Sequence, residues 1–431
     1  MTALLIYTTI VAALAISTIR WPATAIAGII CMFGLEQWAQ GSHPLFLQHR
    51  ALTNYVIGFI VLLGLAKKIY RGQPILRAYP AVGILVLTLF LYALVSTTWA
   101  PYPDRSLAAL LTQSPYIITI IILAPLLCSN TEDIERAFFA TCVLGLVLLV
   151  LLMFTVEWKN RSVVFPGSSF HGNPAAIGAL GGTISIIAAY FRWPKLRLLD
   201  ILKWIVVALG LTLAIRSGSR GQTLAAVMVL VVCWPLAYRL HSFKAYTIFG
   251  AGIIFIAATT FWGLDMFWPD SGRWDANAME DAADGRLYRS SKIYKHWFTT
   301  PATIFFGVGN SASKDLIGTY AHVLPLDILC EEGVAGFVMF IGIVLLCVNK
   351  GFKGFFLVRD NPQQRTQLAI LCAIFAYYFA SSLKQGNLLG SPLLFLCAIL
   401  IGTYYNNLVS SRRQHTEPPR RNYSIAGFTR P

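Results

Sequence analysis

The chain has 431 residues, of which 56% are hydrophobic and 12% are charged, and its mean hydropathy is +0.64. Soluble globular domains carry about 25% charged residues, so this composition excludes an ordinary soluble domain and indicates a polytopic membrane protein. The formal net charge of +15 would also suit a nucleic-acid-binding protein, and the placement of the basic residues decides between the two classes.

Apolar runs long enough to cross a bilayer recur along the chain. A membrane helix needs roughly 17 to 25 residues to span about 30 Å of hydrocarbon. Thirteen stretches come close to this length, at residues 2–19, 22–39, 51–66, 79–98, 107–128, 137–156, 174–191, 199–215, 222–238, 245–263, 333–349, 366–383 and 391–407. The sequence therefore predicts an all-α fold of about 12 to 13 transmembrane helices. Residues 2–39 form either two spans or one span with a re-entrant or in-plane segment.

Basic residues mark the cytoplasmic side of a membrane. If the long polar segment at 264–332 lies outside and the spans alternate, most of the 34 Lys and Arg residues fall on the inner side. This orientation predicts one long external, periplasmic loop at 264–332, between membrane regions at 1–263 and 333–408, and a basic cytoplasmic tail at 409–431. The positive charge is then explained by topology, without nucleic acid.

The eight cysteines form no CxxC pair, and nearly all lie in apolar runs. A packing role is therefore expected, and the alternatives are a disulfide or a metal site. The sequence also lacks a cluster of histidines and carboxylates at metal-ligand spacing, so no metal centre is predicted.

The loop at residues 157–173 combines Arg161 and His171 with a helix start. Asn173 followed by Pro174 is typical of a helix N-terminus, with Asn as the cap and Pro in the first turn. The free N–H groups of such an end can bind an anion. The alternative is an ordinary capped helix with a solvated arginine.

A very short turn between two spans, Ile215-Arg-Ser-Gly-Ser-Arg-Gly-Gln222, carries two arginines at the membrane rim. Charge at membrane depth is costly and usually functional, and the two arginines repel each other unless an anion or a carboxylate joins them. Arg220 is therefore a candidate for substrate binding. For Arg216 this role competes with snorkelling of a long side chain to the interface.

The external loop carries a basic stripe within an acidic segment. Basic side chains recur there at spacings of three and four residues, at Arg286, Arg289, Lys292 and His296. This spacing is typical of one face of an amphipathic helix, which is predicted over residues 284–298 with Asp284 as its N-cap. The predicted apolar face consists of Leu287, Tyr294 and Phe298. The stripe is either a phosphate-binding face or a solvated charged face.

The loop re-enters the membrane through a run that holds a histidine, carboxylates and two glycines. If the run is helical, one face carries His322, Leu326, Leu329 and Gly333. Histidine titrates near neutral pH, so His322 is the candidate base, and an interfacial histidine is the alternative. Glu331 either orients this histidine or caps a structural element.

Taken together, these residues resemble the O-antigen ligase and O-antigen polymerase superfamily of polytopic glycosyltransferases. At the loop exit, the family pattern His-Asn-x-x-Leu-x-x-Leu-x-Glu-x-Gly-x-x-Gly corresponds to His322, Leu326, Leu329, Glu331, Gly333 and Gly336. Val323 stands where the pattern has Asn. Other segments are similar to family motifs in the same order, at Phe170–Asn173, Ser219–Gly221, Gly285-Arg286 and Pro301–Gly309.

The resemblance implies a GT-C-like fold in the bacterial inner membrane. It also implies an inverting, metal-independent transfer of a glycan from undecaprenyl diphosphate, without a cofactor. In such a family a periplasmic histidine serves as base and arginines hold the diphosphate, which assigns His322 as catalytic. Diphosphate or glycan contacts are expected from Arg220, Arg286, Arg161, Arg289 and Arg216. Glu331, Asn173 and His171 are expected to support this site.

Two acceptors fit the resemblance. Transfer to the lipid A-core of lipopolysaccharide would make the protein an O-antigen ligase, and the modest size of the external loop favours this reading. Transfer to a second lipid-linked glycan would make it an O-antigen or exopolysaccharide polymerase. A polysaccharide transporter or flippase is the alternative from another class, but charged midplane helices and a repeat relating two halves are missing from the sequence.

Overall fold

The computed structural model describes residues 2–75, 79–155, 157–159, 162–164, 170–192, 197–238, 243–267, 276–320 and 322–416. Helices dominate this part of the chain, which confirms the predicted all-helical class. Backbone polar groups within hydrocarbon must be satisfied internally, and a helix does this within a single segment. Long apolar runs therefore fold as helices.

In the described part of the chain, thirteen α-helices begin before the long polar segment. They are α1 (Thr2–Arg20), α2 (Ala25–Ser42), α3 (Pro44–Gln48), α4 (Leu52–Tyr70), α5 (Ala81–Ser96), α6 (Pro103–Ile117), α7 (Ala124–Leu126), α8 (Thr131–Phe154), α9 (Pro174–Tyr190), α10 (Arg197–Arg216), α11 (Arg220–Val232), α12 (Trp234–Ala237) and α13 (Phe243–Phe267). A 3₁₀ turn at Pro22–Thr24 joins α1 to α2, and another at Thr97–Trp99 extends α5. A π-helical stretch, Ile118–Leu123, connects α6 to α7.

The loop between α8 and α9 holds a small antiparallel sheet, which adds to the predicted all-helical fold. Its strands are β1 (Glu157–Lys159), β2 (Ser162–Val164) and β3 (His171–Gly172), in the order β1-β2-β3. Trp158 lies opposite Val163, and Val164 lies opposite His171. The sheet thus places the backbone of His171 directly before the start of α9.

The long polar segment is also helical. The helices from there to the C-terminus are α14 (Ala276–Trp297), α15 (Pro301–Phe306), α16 (Ala312–Ile317), α17 (Leu324–Glu331), α18 (Gly333–Leu357), α19 (Pro362–Ser382) and α20 (Pro392–Thr416). The predicted amphipathic helix exists, but it begins at Ala276, so Asp284 lies inside it and is not its N-cap. Four of the eight residues before Asp284 are alanines, and alanine has the highest helix propensity, which extends the helix past the predicted cap.

Seven helices of the described part are long and apolar enough to cross a membrane. They are Thr2–Arg20, Leu52–Tyr70, Ala81–Trp99, Pro103–Leu126, Thr131–Phe154, Gly333–Leu357 and Pro392–Arg412. Shorter apolar helices lie at Pro174–Tyr190, Arg220–Val232 and Phe243–Thr259. Each of the thirteen predicted segments overlaps a helix. The chain is therefore a membrane-embedded, polytopic helical protein.

The centre of the fold is α9, which packs against α8, α10, α11 and α19. Its contact with α10 is unusually close, since a Cβ on Gly181 would overlap the backbone oxygen of Gly210. Small residues allow membrane helices to approach in this way. The buried Tyr190, the last residue of α9, donates to the carbonyls of Val229 and Leu230, at 2.9 and 2.7 Å. These contacts fix the middle and the C-terminal end of α9 inside the bundle.

All eight cysteines carry free thiols, and seven of them are buried. Cys372 is the half-buried one. They pack among the apolar side chains of the helices, which confirms the packing role predicted from the sequence.

Candidate functional site

The candidate base, His322, lies in the loop between α16 and α17. Its backbone is left-handed, with a φ of 60°, and its Nε2 lies 3.3 Å from Oγ1 of Thr319. The prediction that His322 shares a helical face with Gly333 is wrong, because α17 begins at Leu324 and Gly333, with a φ of 67°, starts a new helix. A helix running through Pro325 would lose the hydrogen bond that residue 325 donates, so the helix starts at Leu324, with the proline in its first turn.

Three of the sequence motifs meet around one cavity of about 350 Å³. His322 and Tyr320 line it from the loop before α17, Asn173 lines it from the start of α9, and Gln222 lines it from the first turn of α11. More polar side chains come from the end of α19 and the loop that follows, at Ser381, Ser382, Gln385 and Asn387. The cavity therefore brings together polar groups that are far apart in the sequence.

The helix start predicted at Asn173 is confirmed. The side-chain oxygen of Asn173 accepts the N–H of Ala175 at 3.0 Å, and Pro174 occupies the first turn. The backbone N–H of Asn173 donates to Oε1 of Gln37 at 2.6 Å. Because Asn173 and Ala175 both line the cavity, the positive end of the helix dipole lies at its wall, where it favours an anion.

The two arginines of the short turn have different positions. Arg216 ends α10, and its Nη1 donates to the carbonyl of Met153 at 3.1 Å, near the end of α8. Arg220 is half-buried and begins α11, after a turn in which Gly218 has a φ of 66°. Arg216 thus anchors α10 to α8, whereas Arg220 lies two residues before the cavity-lining Gln222.

A lysine that sequence reasoning missed lies against the same turn. A Cβ on Gly221 would overlap Cδ of Lys384 and would lie 3.1 Å from its Nζ. Lys384 follows α19 and directly precedes Gln385 of the cavity wall. Its position in the connection between the last two predicted spans, on the external side, was the available clue. The packing of α11 against α19 brings it beside Gly221, the residue after Arg220.

Glu331, at the end of α17, holds a loop in place. Its Oε2 accepts the backbone N–H of Ser311 at 2.8 Å, and its Oε1 accepts that of Ser313 at 2.9 Å. Ser311 itself is left-handed, with a φ of 59°. Of the two roles considered for Glu331, this geometry favours the structural one, because both carboxylate oxygens stabilise the start of α16.

Two more buried carboxylates surround Glu331. Oδ2 of Asp327 accepts the N–H of Leu388 at 3.1 Å, which ties α17 to the loop after α19. Oε1 of Glu332 accepts the side-chain amide of Asn310 at 2.9 Å. Burial raises the pKa of Asp327 well above its ordinary range, and the neighbouring Glu331 raises it further. Burial also raises the pKa of Glu332 to about 8.

The glycine-rich turn after α15 packs on this same region. Gly307 and Gly309 have φ values of 82° and 98°. The N–H groups of Val308 and Gly309 donate to the carbonyls of Cys330 and Glu331, both at 2.9 Å. A Cβ on Gly307 would overlap the carbonyl oxygen of Glu331. The turn is therefore a packing element that fixes the end of α15 against the end of α17.

The basic helix α14 packs on α16 and α17. Among its described side chains, Ile293 and Trp297 are buried and form a small core with Cys330. Two residues of the predicted apolar face are wrong, since Tyr294 is 46% exposed and Phe298 is 60% exposed; the side chain of Leu287 lies outside the described part of the structure. Trp297 is buried in their place. Its ring packs in this core, and its Nε1 donates to the carbonyl of Ile304 at 3.2 Å.

The basic stripe of α14 points partly to solvent. Arg289 and Lys292 are exposed, and Nζ of Lys292 lies 4.5 Å from the ring centroid of Tyr288. The backbone of Arg286 belongs to α14, but the side chains of Arg286 and His171 lie outside the described part of the structure, as does the whole of Arg161. Their predicted contacts with substrate stay predictions.

Among the described residues, no group of three or more His, Cys, Asp or Glu side chains is placed to hold a metal ion. No protein-family model matches the chain, and no curated protein matches it. The resemblance of the motifs to the ligase and polymerase superfamily therefore stands as a proposal.

Proposed function

We propose that the protein is an O-antigen ligase, a glycosyltransferase that moves a glycan from undecaprenyl diphosphate to the lipid A-core of lipopolysaccharide. The observation that carries this proposal is the cavity at which His322, Asn173 and Gln222 meet. His322 and Asn173 belong to two segments that are similar to family motifs, and Gln222 directly follows a third, Ser219–Gly221. A histidine, a helix N-terminus and a nearby arginine suit a reaction between a hydroxyl group and a diphosphate ester.

His322 is the proposed base. A sugar hydroxyl is too weakly acidic to ionise alone, and a positioned histidine that takes its proton contributes roughly 100- to 10,000-fold in rate. His322 lines the cavity and is half-buried, so its imidazole can meet an acceptor hydroxyl there. Direct attack with histidine as base inverts the anomeric carbon, and the diphosphate leaves with the bonding electrons.

The proposed diphosphate site is the turn at the start of α11. Arg220 supplies a permanently charged guanidinium that matches phosphate oxygens, and Lys384 adds a second cation beside the same turn. Such charges stabilise the developing charge of the leaving group. Arg286, Arg289 and Arg161 are proposed as further phosphate or glycan contacts.

The proposed setting is the bacterial inner membrane, with about 12 to 13 spans in a GT-C-like arrangement. The cavity is then periplasmic and the C-terminus cytoplasmic, as the distribution of basic residues indicates. An activated lipid-linked donor is needed on that side, because nucleotide sugars are not supplied there. No metal or other cofactor is part of the proposal.

The test is a transfer assay with purified protein in liposomes and excess EDTA. The substrates are a glycan linked to undecaprenyl diphosphate and purified lipid A-core. We expect glycan to appear on the lipid A-core, at an unchanged rate in EDTA. Elongation of the lipid-linked glycan with no transfer to the core would replace the ligase proposal with polymerase activity. Movement of the lipid-linked glycan across the membrane without any transfer would favour a flippase.

A further inference from the structure

A large groove of the described structure lies apart from the His322 cavity. It has a volume of about 1380 Å³ and runs between α1 and α8, with one end formed by the termini of α9, α10 and α19. Its walls include Leu5 and Ile10 of α1 and Phe139, Val143 and Val147 of α8. The three α8 side chains are 45%, 48% and 40% exposed, so the groove presents an apolar surface within the membrane-embedded part of the protein.

The groove has the length of a lipid chain. Along α8, the lining residues extend from Glu132 to Val147, which corresponds to about 22 Å at 1.5 Å per residue. The hydrocarbon core of a bilayer is about 30 Å thick. One leaflet is therefore about 15 Å thick. An acyl chain that starts at one end of the groove can contact protein through the whole of that leaflet.

One end of the groove is polar and carries more cations than carboxylates. The cations Arg136, Arg192 and Lys203 line it together with Glu132 and Glu135. Glu132 is paired with Arg136. Glu135 accepts the side-chain amides of two glutamines of α19, at 2.6 and 3.0 Å. Arg192 contacts a neutral partner, since its Nε donates to a threonine hydroxyl of α19 at 3.1 Å.

These features identify the occupant by its chemistry. An amphiphile with long apolar chains and an anionic head matches apolar walls that end in a cationic rim, and basic pockets between helices on the cytoplasmic side suit anionic headgroups. A peptide segment fits less well, because its backbone would need hydrogen-bond partners that these aliphatic and aromatic walls do not offer. We propose that the groove binds one anionic phospholipid, with its acyl chains along α1 and α8 and its phosphate at the polar rim, next to Arg192 and Lys203.

This lipid site is separate from the proposed transfer site. Asn173 at the start of α9 lines the His322 cavity, whereas Arg192, just past the end of α9, lines the groove. The 17 residues of α9 place the two sites about 26 Å apart along the helix axis. The inference does not depend on the transferase proposal, and a binding measurement tests it alone.

The test is native mass spectrometry of the full-length protein in detergent, with phosphatidylglycerol or phosphatidylcholine added at equal concentration. We expect one tightly retained phosphatidylglycerol and weaker retention of the zwitterionic lipid. Val143→Trp fills the groove and should abolish retention of both, whereas Val150→Trp, which is on the same helix, similarly exposed at 41% and outside the groove lining, should bind as wild type does.

The rim is tested with the double variant Arg192→Gln/Lys203→Gln, which should weaken phosphatidylglycerol binding roughly tenfold or more and leave phosphatidylcholine unchanged. Lys353→Gln/Arg359→Gln removes two exposed cations elsewhere and is the matched control. Unchanged phosphatidylglycerol binding in the rim variant, equal retention of the two lipids by wild type, or no retained lipid would each overturn the proposal. Displacement of phosphatidylglycerol by glycerol 3-phosphate alone would show a phosphate site rather than a lipid site. Matched thermal unfolding temperatures establish that each variant is folded.

Discussion

His322 adopts a left-handed backbone conformation in a loop, with a φ of 60°. A non-glycine residue held there costs on the order of 1 to 3 kcal/mol, and such residues cluster at functional sites. The conformation turns the chain sharply between Tyr320 and the start of α17, so that both Tyr320 and His322 line the cavity. Backbone and imidazole can therefore be tested separately, because glycine keeps the turn and removes the ring.

At the same scale, Arg220 and Lys384 are predicted to act on one diphosphate. Arg220→Ala and Lys384→Gln should each lower the transfer rate about 100- to 1000-fold, the usual cost of losing one electrostatic partner of a developing charge. Because both cations contact the same group, the double variant should lose less than the product of the single losses. Steady-state rates of the three variants in liposomes measure this.

The control for that pair is Arg105→Ala. The Arg105 side chain is 72% exposed and forms an ion pair at 3.3 Å with Asp315, so its removal should leave the rate unchanged. If Lys384→Gln keeps the wild-type rate while Arg220→Ala does not, Lys384 is not a diphosphate contact.

The sequence could point to Arg220 but not to Lys384. Arg220 lies in a short motif next to another arginine at the membrane rim, where charge is costly. Lys384 is a lone lysine in a connecting loop, and only the packing of α11 on α19 brings its side chain against Gly221. A contact made through the packing of distant helices leaves no periodic trace in the sequence.

Among the elements, the joint between the glycine-rich turn and α17 depends on buried carboxylates, which gives it a pH dependence. The folded-state pKa of Glu332 is raised to about 8, whereas an unfolded glutamate titrates near about 4.3. Between these values the folded state binds more protons than the unfolded state, so stability falls as pH rises. Asp327 and Glu331, whose pKa values are also raised, act in the same direction.

We therefore expect the unfolding temperature in detergent to fall as pH rises from about 5 to about 8. Glu332→Gln keeps an acceptor for the Asn310 amide and should flatten this slope. Glu132→Gln, which changes a carboxylate that is 66% exposed, should leave it unaltered. A wild-type unfolding temperature that rises over this range would contradict the assignment.

Gly307 offers a second test of this joint. Gly307→Ala places a methyl group on the carbonyl oxygen of Glu331 at a φ of 82°, so we expect a loss of at least 1 to 3 kcal/mol, on the order of a strained left-handed residue. Gly252→Ala, within α13, meets nothing within 4 Å and should stabilise by roughly 0.5 to 1 kcal/mol. Thermal unfolding of both variants measures the difference, and equal stability would contradict the packing of this turn.

The helices α14 and α17 show which parts of an element the sequence predicts. The three- and four-residue spacing of basic residues was enough to predict α14, but the helix extends to Ala276 and buries Ile293 and Trp297. The buried face is set by Cys330 and its neighbours, which are more than thirty residues away in sequence. The break between α17 and α18 depends on the left-handed Gly333, and a helical-face pattern does not reveal it.

For the whole molecule, the predicted orientation places α14 outside the cell membrane and the end of α18 inside. Arg289→Cys and Lys353→Cys introduce thiols at exposed positions of these two helices. In intact spheroplasts, a membrane-impermeant maleimide should label the first variant, and it should label the second only after the membrane is permeabilised. Seven of the eight native cysteines are buried and should give little background. The reverse labelling pattern would place the His322 cavity on the cytoplasmic side.

At this scale the sequence predicts helix positions well, because an apolar run long enough to span hydrocarbon has to satisfy its backbone as a helix. It does not predict which helices meet. The close approach of α9 and α10 depends on Gly181 and Gly210, and the groove between α1 and α8 depends on which side chains remain uncovered. The shape of the cavity and of the groove therefore emerges only from the packed structure.

The most direct measurement is the rate of glycan transfer from undecaprenyl diphosphate to lipid A-core by His322→Gly, compared with wild type at equal protein amount. Glycine accepts the φ of 60°, so the variant should fold with an unfolding temperature no lower than that of wild type. Loss of the base should then lower transfer by roughly 100- to 10,000-fold. Transfer at the wild-type rate by the folded variant would contradict the central claim that His322 and its cavity carry the reaction.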